Sequence, residues 1–240
     1  MAGLCRTGVN ELTPRRKKTI LALIVAALAI SGGTGWFCYE RYVAMNFHET
    51  VAGQLYRSAQ PDPATLDDWI RQYHLKSVIN LNGPRMGHSF RVEKEVTDKA
   101  GVQLIHVGLE ANALPEGREF LKLIDALETA PRPILVHCRA GADRSGVACV
   151  LGAMAIGGQD YATARGQLSI WYLHVDPIST HVGGVLSQYE DYCRQRNVGT
   201  GGWRQFKDWA VNVYCRAKTP ATASAPATAR TRFSPSPVRS

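Results

Sequence analysis

The fold turns on Val136-His137-Cys138-Arg139-Ala140-Gly141-Ala142-Asp143-Arg144-Ser145-Gly146. An apolar run, Pro133-Ile134-Leu135-Val136, enters this stretch, and a helix-like run from Val147 to Ile156 leaves it. That order reads as a strand, a tight loop and a helix N-terminus. Successive loop N–H groups at such a junction can converge as an anion nest, and the helix dipole adds positive potential. Arg144 can hold two phosphate oxygens with its planar fork. A thiol here should ionise readily: a free cysteine near about 8.5 falls to roughly 3.5–7.5 beside cations or a helix N-terminus. A lone cysteine is ordinarily a small buried hydrophobe, but Arg144 and the glycines around Cys138 favour a nucleophile in a phosphate cradle.

His137-Cys138 followed by Arg144-Ser145 resembles the signature loop of the cysteine-based protein tyrosine and dual-specificity phosphatases. Leu55-Tyr56-Arg57-Ser58-Ala59-Gln60-Pro61 and Ser77-Val78-Ile79-Asn80-Leu81-Asn82 are similar to pieces of the compact bacterial and fungal dual-specificity-like branch. Matching pieces run from about Gln54 to about Asp191. The resemblance implies a three-layer α/β fold with a central, mostly parallel sheet flanked by helices. It also implies that Cys138 attacks phosphorus to form a phosphocysteine. Arg139, Ala140, Gly141, Ala142, Asp143 and Arg144 would form the substrate-binding loop and stabilise charge on the equatorial oxygens. Ser145 resembles the hydroxyl that supports the thiolate, and His137 the residue that orders the loop. Water then hydrolyses the phosphocysteine, so no metal or cofactor is expected. Ser145 is also a reasonable helix N-cap, a role compatible with the first; His137 can equally be structural.

The family's general acid is usually an Asp on a separate loop some thirty residues before the cysteine. The corresponding stretch here, Val107 to Glu116, contains no Asp. Glu110 follows an expected strand and is one candidate. Glu116, after Pro115, reads better as a first-turn helix acid. Asp143, inside the loop, is the other candidate; lipid phosphatases of the myotubularin and Sac type resemble this chain there. Its alternative role is to hold the loop or to pair with a nearby arginine. A good leaving group would need little acid help.

The 240 residues suit one domain with appendages. Formal charge is +8; the first eighteen residues carry +4 and residues 216–240 carry +5, which leaves −1 for the body. The basic character therefore belongs to the ends and gives no case for nucleic acid. Six cysteines are present, without CxxC or zinc spacing. Cys149 reads as core, and Cys193 and Cys215 could pair in an oxidising compartment.

Arg15-Arg16-Lys17-Lys18 precedes Thr19 to Ile30, and no charge appears until Glu40. This reads as a transmembrane anchor over residues 19–39, behind a basic segment over 1–18. The basic cluster puts the N-terminus in the cytoplasm and the Cys138 domain on the far side, periplasmic in a bacterium. Trp36, Phe37 and Tyr39 suit the far interface. The alternative is a cleaved signal peptide with Ala29-Ile30-Ser31 as a small-x-small site. Either reading creates a tension, because reactive thiols and phosphotyrosine are expected in the cytosol.

The remaining chain alternates strands with helices, which argues for α/β. Strands are expected at 55–57, 77–81, 102–107 and 134–137. Helices are expected at 63–74, 89–100, 116–129, 144–156, 161–172, 180–196 and 203–215, with a turn at Asn82-Gly83-Pro84. The phosphatase domain then covers about 45–215, and 216–240 is a disordered basic tail. Arg57 and Gln60 either pack near the loop or belong to a surface turn; Gln167 reads as helix surface, although it sits where some members of the family it resembles supply a water-positioning glutamine. The leading function is a cysteine-dependent phosphomonoesterase acting on phosphoproteins. Phospholipid or phosphoinositide substrates follow closely, since an exported enzyme meets few phosphoproteins. The loop lacks the lysines that would mark a highly phosphorylated inositol. An inactive phosphate-binding module and a rhodanese-like sulfurtransferase are the readings from other classes. Oligomeric state is left open.

Overall fold

The computed structural model describes residues 14–83, 87–175 and 181–218. Five strands form one sheet: β1 (His48–Val51), β2 (Leu55–Ala59), β3 (Ser77–Asn80), β4 (Gln103–His106) and β5 (Ile134–Cys138). Their order is β1-β2-β5-β3-β4, with β1 antiparallel to β2 and the remaining pairs parallel. The central strand is thus the one that ends in Cys138. Strand β1 was not expected from the sequence. Its four residues carry no apolar alternation, and pairing with β2 across a turn at Gly53 (φ 63°) defines it.

The helices are α1 (Pro14–Cys38), α2 (Pro63–Gln72), α3 (Gly87–Ala100), α4 (Gly117–Thr129), α5 (Asp143–Ala155), α6 (Tyr161–Ala164), α7 (Gly184–Gln195), α8 (Trp203–Trp209) and α9 (Cys215–Lys218). Helix α2 begins where Asp62 accepts from the Ala64 and Thr65 amides and Pro63 supplies the first turn. It turns Leu66 and Ile70 inward as the periodicity requires. Helix α4 buries Phe120, Leu123, Ile124 and Leu127, while Leu121 stays on the exposed side.

Alternation along β5 sorts the core into two layers. Ile134, Val136 and Cys138 join the larger cluster under α4, α5 and α7, whereas Leu135 joins Leu66, Ile70, Leu75 and Val78 under α2. Helix α5 lies close on the sheet because Gly152 has no side chain: a Cβ there would stand 2.3 Å from a methyl of Leu55.

Three helical expectations change. The stretch 161–172 is not one helix but α6 followed by 3₁₀ turns at Arg165–Gln167 and Ile170–Tyr172. The Gln167 carbonyl, needed for helical continuation, is taken by a buried arginine described below. The stretch 180–196 begins, among described residues, as a 3₁₀ turn at His181–Gly183 before α7. The stretch 203–215 passes from α8 through a π turn at Ala210–Tyr214 into α9. Pro84 of the expected turn, Cys5 and the tail from Thr219 lie outside the described residues. Cys193 and Cys215 stand as buried thiols rather than a disulfide; burial pushes the Cys215 thiol up to about 11. Cys149 is core, as expected: burial raises its pKa, and its sulfur accepts from the Thr50 hydroxyl.

Helix α1 is long and apolar enough to cross a membrane. It is exposed along its length, with Trp36 its one half-buried residue. A π turn over Tyr39–Val43 carries it into the domain.

Candidate functional site

Cys138 closes β5 with its side chain buried, and the following loop bends back over the end of β2. The bend needs Gly141, whose φ is +70°. A Cβ at Gly141 would meet the Ala59 nitrogen and the Ser58 carbonyl carbon, each at 2.6 Å. The loop backbone therefore rests directly on the backbone of β2.

Two buried side chains hold the loop from behind. Arg57, completely buried in β2, donates through Nη2 to the carbonyls of Gly141 (2.7 Å) and Ala142 (3.0 Å). Its Nη1 donates to the Gln167 carbonyl (2.8 Å) and to Gln167 Oε1 (3.3 Å). The guanidinium carbon lies 4.4 Å from the centre of the Tyr172 ring. Asn46 Nδ2 donates to the Ala140 carbonyl (3.2 Å) and the Tyr172 carbonyl (3.0 Å). In a trans peptide the N–H points opposite to the C=O. With the carbonyls of Ala140, Gly141 and Ala142 drawn outward, the N–H groups of Gly141, Ala142 and Asp143 turn to the opposite side. That is an anion nest at the first turn of α5.

Ser145 is not the helix N-cap: Gly146 N already bonds the Ala142 carbonyl, so the helix starts earlier and Ala142 takes the cap position. The buried Ser145 hydroxyl instead lies 3.5 Å from the Ser58 carbonyl. Arg144 is half-buried, and its Nη1 reaches the carbonyls of Leu81 (3.4 Å) and Leu109 (3.3 Å). These long bonds tether the guanidinium between the ends of β3 and β4. Arg139 is exposed.

His137 faces the other layer. Its Nε2 is 2.6 Å from Glu93 Oε1, and both side chains are buried. Glu93 Oε2 accepts from Asn80 Nδ2 (2.6 Å), while Gln60 Oε1 accepts from Asn82 Nδ2 (2.7 Å). Burial works to raise the Glu93 pKa, but the charge and hydrogen bond of His137, with the hydrogen bonds of Asn80 and Gln60, carry it below the ordinary value. A pocket of about 220 Å³, lined by Gln60, Pro61, Leu66, His88, Val92 and Glu93, opens beside this network.

The two acid candidates sit differently. Asp143 Oδ1 pairs with His174 Nδ1 at 2.8 Å. Glu110 is exposed; its carboxylate lies against Gly83, next in sequence to the Leu109 carbonyl that Arg144 reaches. Glu116 occupies the cap position of α4 rather than its first turn, and shares a pocket of about 330 Å³ with Glu110 and Glu119.

Arg57 is thus a loop support, not a surface turn, and Gln167 is its partner rather than helix surface. Asn46, Glu93, Asn80 and His174 were not foreseen. Each acts through a contact at least thirteen residues away in sequence, which periodicity does not mark, although Asn80 lies in the family-like piece 77–82. Among the described residues no cluster has the make-up to hold a metal ion.

An α/β sheet whose central strand delivers a cysteine into an arginine-bearing anion nest defines a cysteine-based phosphatase. The chain belongs to the tyrosine phosphatase family, whose model matches residues 39–165. No curated protein sequence matches it. Among solved structures it is similar to P. aeruginosa TpbA in complex with phosphotyrosine: 20% identity, 54% of this chain and 75% of that chain, TM-score 0.43. It is also similar to Tk-PTP (18% identity, 63% and 96%, TM-score 0.45). A third is the catalytic core of the PP-IP phosphatase SIW14 from S. cerevisiae (19% identity, 63% and 93%, TM-score 0.37).

Proposed function

We propose that residues 45–215 hydrolyse phosphomonoesters through a phosphocysteine, with tyrosine or dual-specificity phosphoprotein substrates as the leading class. The observation that carries this reading is the loop's inverted backbone: three carbonyls held outward by Arg57 and Asn46, behind Cys138. The Cys138 sulfur attacks phosphorus as the bond to the leaving oxygen breaks. The nest N–H groups and Arg144 take the charge that builds on the equatorial oxygens. The leaving oxygen takes a proton from a carboxyl group, Asp143 first and Glu110 second. Water then attacks phosphorus, the S–P bond breaks, and the carboxylate recovers a proton. Ser145 supports the returning thiolate, and His137, held by Glu93, orders the strand end. No metal takes part, so EDTA is expected to leave turnover unchanged.

Helix α1 in this reading crosses a bilayer with the basic segment 1–18 on the cytoplasmic side; the tail expected over 216–240 loses its first three residues, which belong to α9. A membrane phospholipid substrate is the second reading, supported by the contact of α1 with the segment that holds Arg57, through Trp36 and Trp171. The test is a hydrolysis panel of phosphotyrosine peptide, phosphoserine peptide, phosphoinositide and phosphatidylglycerophosphate. Cys138→Ser serves as blank and is expected to lose turnover while still binding vanadate. Turnover by Cys138→Ser would overturn the mechanism, and preference for a lipid would replace the phosphoprotein reading.

A further inference from the structure

The segment between α6 and α7 presents two large apolar side chains to the outside. Ile170 is 57% exposed and Trp171 70% exposed. A tryptophan so exposed is uncommon on a domain whose other aromatic residues mostly pack together. Among the described residues its ring partner is Trp36, edge-on with centroids 6.0 Å apart.

Trp36 fixes where that pair sits. The basic cluster Arg15-Arg16-Lys17-Lys18 marks one end of α1. From Lys18 to Trp36 the helix rises about 27 Å at 1.5 Å per residue, close to the roughly 30 Å hydrocarbon thickness of a bilayer. With the lysines at one headgroup layer, Trp36 falls at the other, where tryptophan is favoured. Phe37, Tyr39 and Tyr42, all exposed, extend the aromatic belt there. A ring in edge contact with Trp36 lies at the same depth.

We infer that Ile170 and Trp171 form a membrane-docking foot, seated in the headgroup layer of the bilayer that α1 crosses. The occupant of this surface is lipid, continuous with the lipid around α1. The inference rests on the reading of α1 as a membrane span. It adds that the domain is held against the bilayer by a second contact instead of swinging on a tether.

The foot is short-coupled to the phosphate loop. Tyr172 follows Trp171 directly and lies against Arg57, which holds the Gly141 and Ala142 carbonyls. The Tyr172 carbonyl and the Ala140 carbonyl accept from the same Asn46 nitrogen. Seating the foot therefore holds the back of the candidate site near the membrane surface.

The test uses the full chain reconstituted in phosphatidylcholine vesicles whose acyl chains are brominated near the headgroup. Tryptophan emission is compared for the wild type, Trp171→Phe and Trp36→Phe. Since Trp171 is exposed, phenylalanine there leaves the fold intact. The Trp171 component, taken as the difference between wild type and Trp171→Phe, is expected to be quenched at least as strongly as the Trp36 component. All three proteins are expected to float with the vesicles. Flotation with Trp36 quenched and Trp171 unquenched would overturn the foot while leaving the anchor standing, whether water or a second copy of the chain covers that face. Failure to float would overturn the membrane span and the foot with it.

Discussion

Arg57 carries its charge into complete burial and meets backbone carbonyls, one amide oxygen and a tyrosine ring there. A lysine has the charge but not the fork that reaches carbonyls on both sides. Arg57→Lys is expected to lower stability by about 2–4 kcal/mol, since one ammonium cannot reach every carbonyl and some buried acceptors lose their donor. It should also weaken phosphate binding, because the loop carbonyls are freed to turn inward. Urea unfolding and vanadate titration check both, and unchanged vanadate affinity would remove Arg57 from the loop's support. The acid question is decided at the same scale. Asp143→Asn should slow alkyl phosphates by about 10²-fold or more while sparing p-nitrophenyl phosphate, whose leaving group needs little help. Equal slowing of both would remove Asp143 as the acid, and Glu110→Gln would then be the variant to assay. Cys138, Arg144 and the loop between them stand out as a candidate site in the sequence because cysteine, glycine-bearing loop and arginine are contiguous. Ser145 was misjudged as a cap because its hydroxyl is a good capping group in any sequence, whereas the backbone had already turned helical at Ala142.

At the scale of elements, β5 separates two functions by its alternation. Cys138 goes to the face under α5, and His137 to the face where α3 brings Glu93. The strand, its parallel neighbours and the helices α2, α4 and α5 could be read from periodicity and punctuation. Strand β1 and the broken 161–172 stretch could not, since one is defined by its partner strand and the other by a carbonyl bonded to a distant arginine. Helix α3 was foreseen as merely polar, yet its Glu93 is buried against His137. The consequence is a specific acid sensitivity. Glu93 has a lower pKa folded than its ordinary 4.5. The unfolded chain therefore binds more protons than the folded one, and stability rises with pH through this window. The contribution is complete above the unfolded value and is lost as pH falls through the folded one. Wild-type unfolding free energy should thus drop below about pH 4.5, beyond the drop seen in Glu93→Gln. At neutral pH, Glu93→Gln should be less stable by about 1–3 kcal/mol, the cost of weakening a buried charged hydrogen bond. Chemical denaturation of both proteins across the acid range measures this, and parallel curves would remove Glu93 as the source.

For the whole molecule, the connection between α1 and the domain is a joint built from named contacts. Met45 accepts from the Ala59 amide at 2.6 Å, at the floor of the loop. Asn46, fully buried, ties the Ala140 and Tyr172 carbonyls together. Phe47 packs on Trp69, Tyr73 and Tyr56, with centroids at 4.4, 4.8 and 5.7 Å. Composition and hydropathy put the edge of the domain near residue 45, but they say nothing of what the first three residues do. Their contacts make the edge sharp. Removing residues 1–43 deletes α1 and its π turn and leaves the joint intact, so a soluble, active domain is expected. Removing residues 1–47 strips two carbonyls of their donor and leaves a hole beside three aromatic rings. That further loss should cost about 2–4 kcal/mol, a large part of the 5–15 kcal/mol typical of a domain. The shorter protein should therefore melt several degrees lower and bind vanadate more weakly, since Ala140 loses its outward hold. Thermal melts and vanadate titrations of the two truncations decide it. Equal melting and equal affinity would mean that the segment after the membrane helix is only a linker, and that the loop keeps its shape on Arg57 alone.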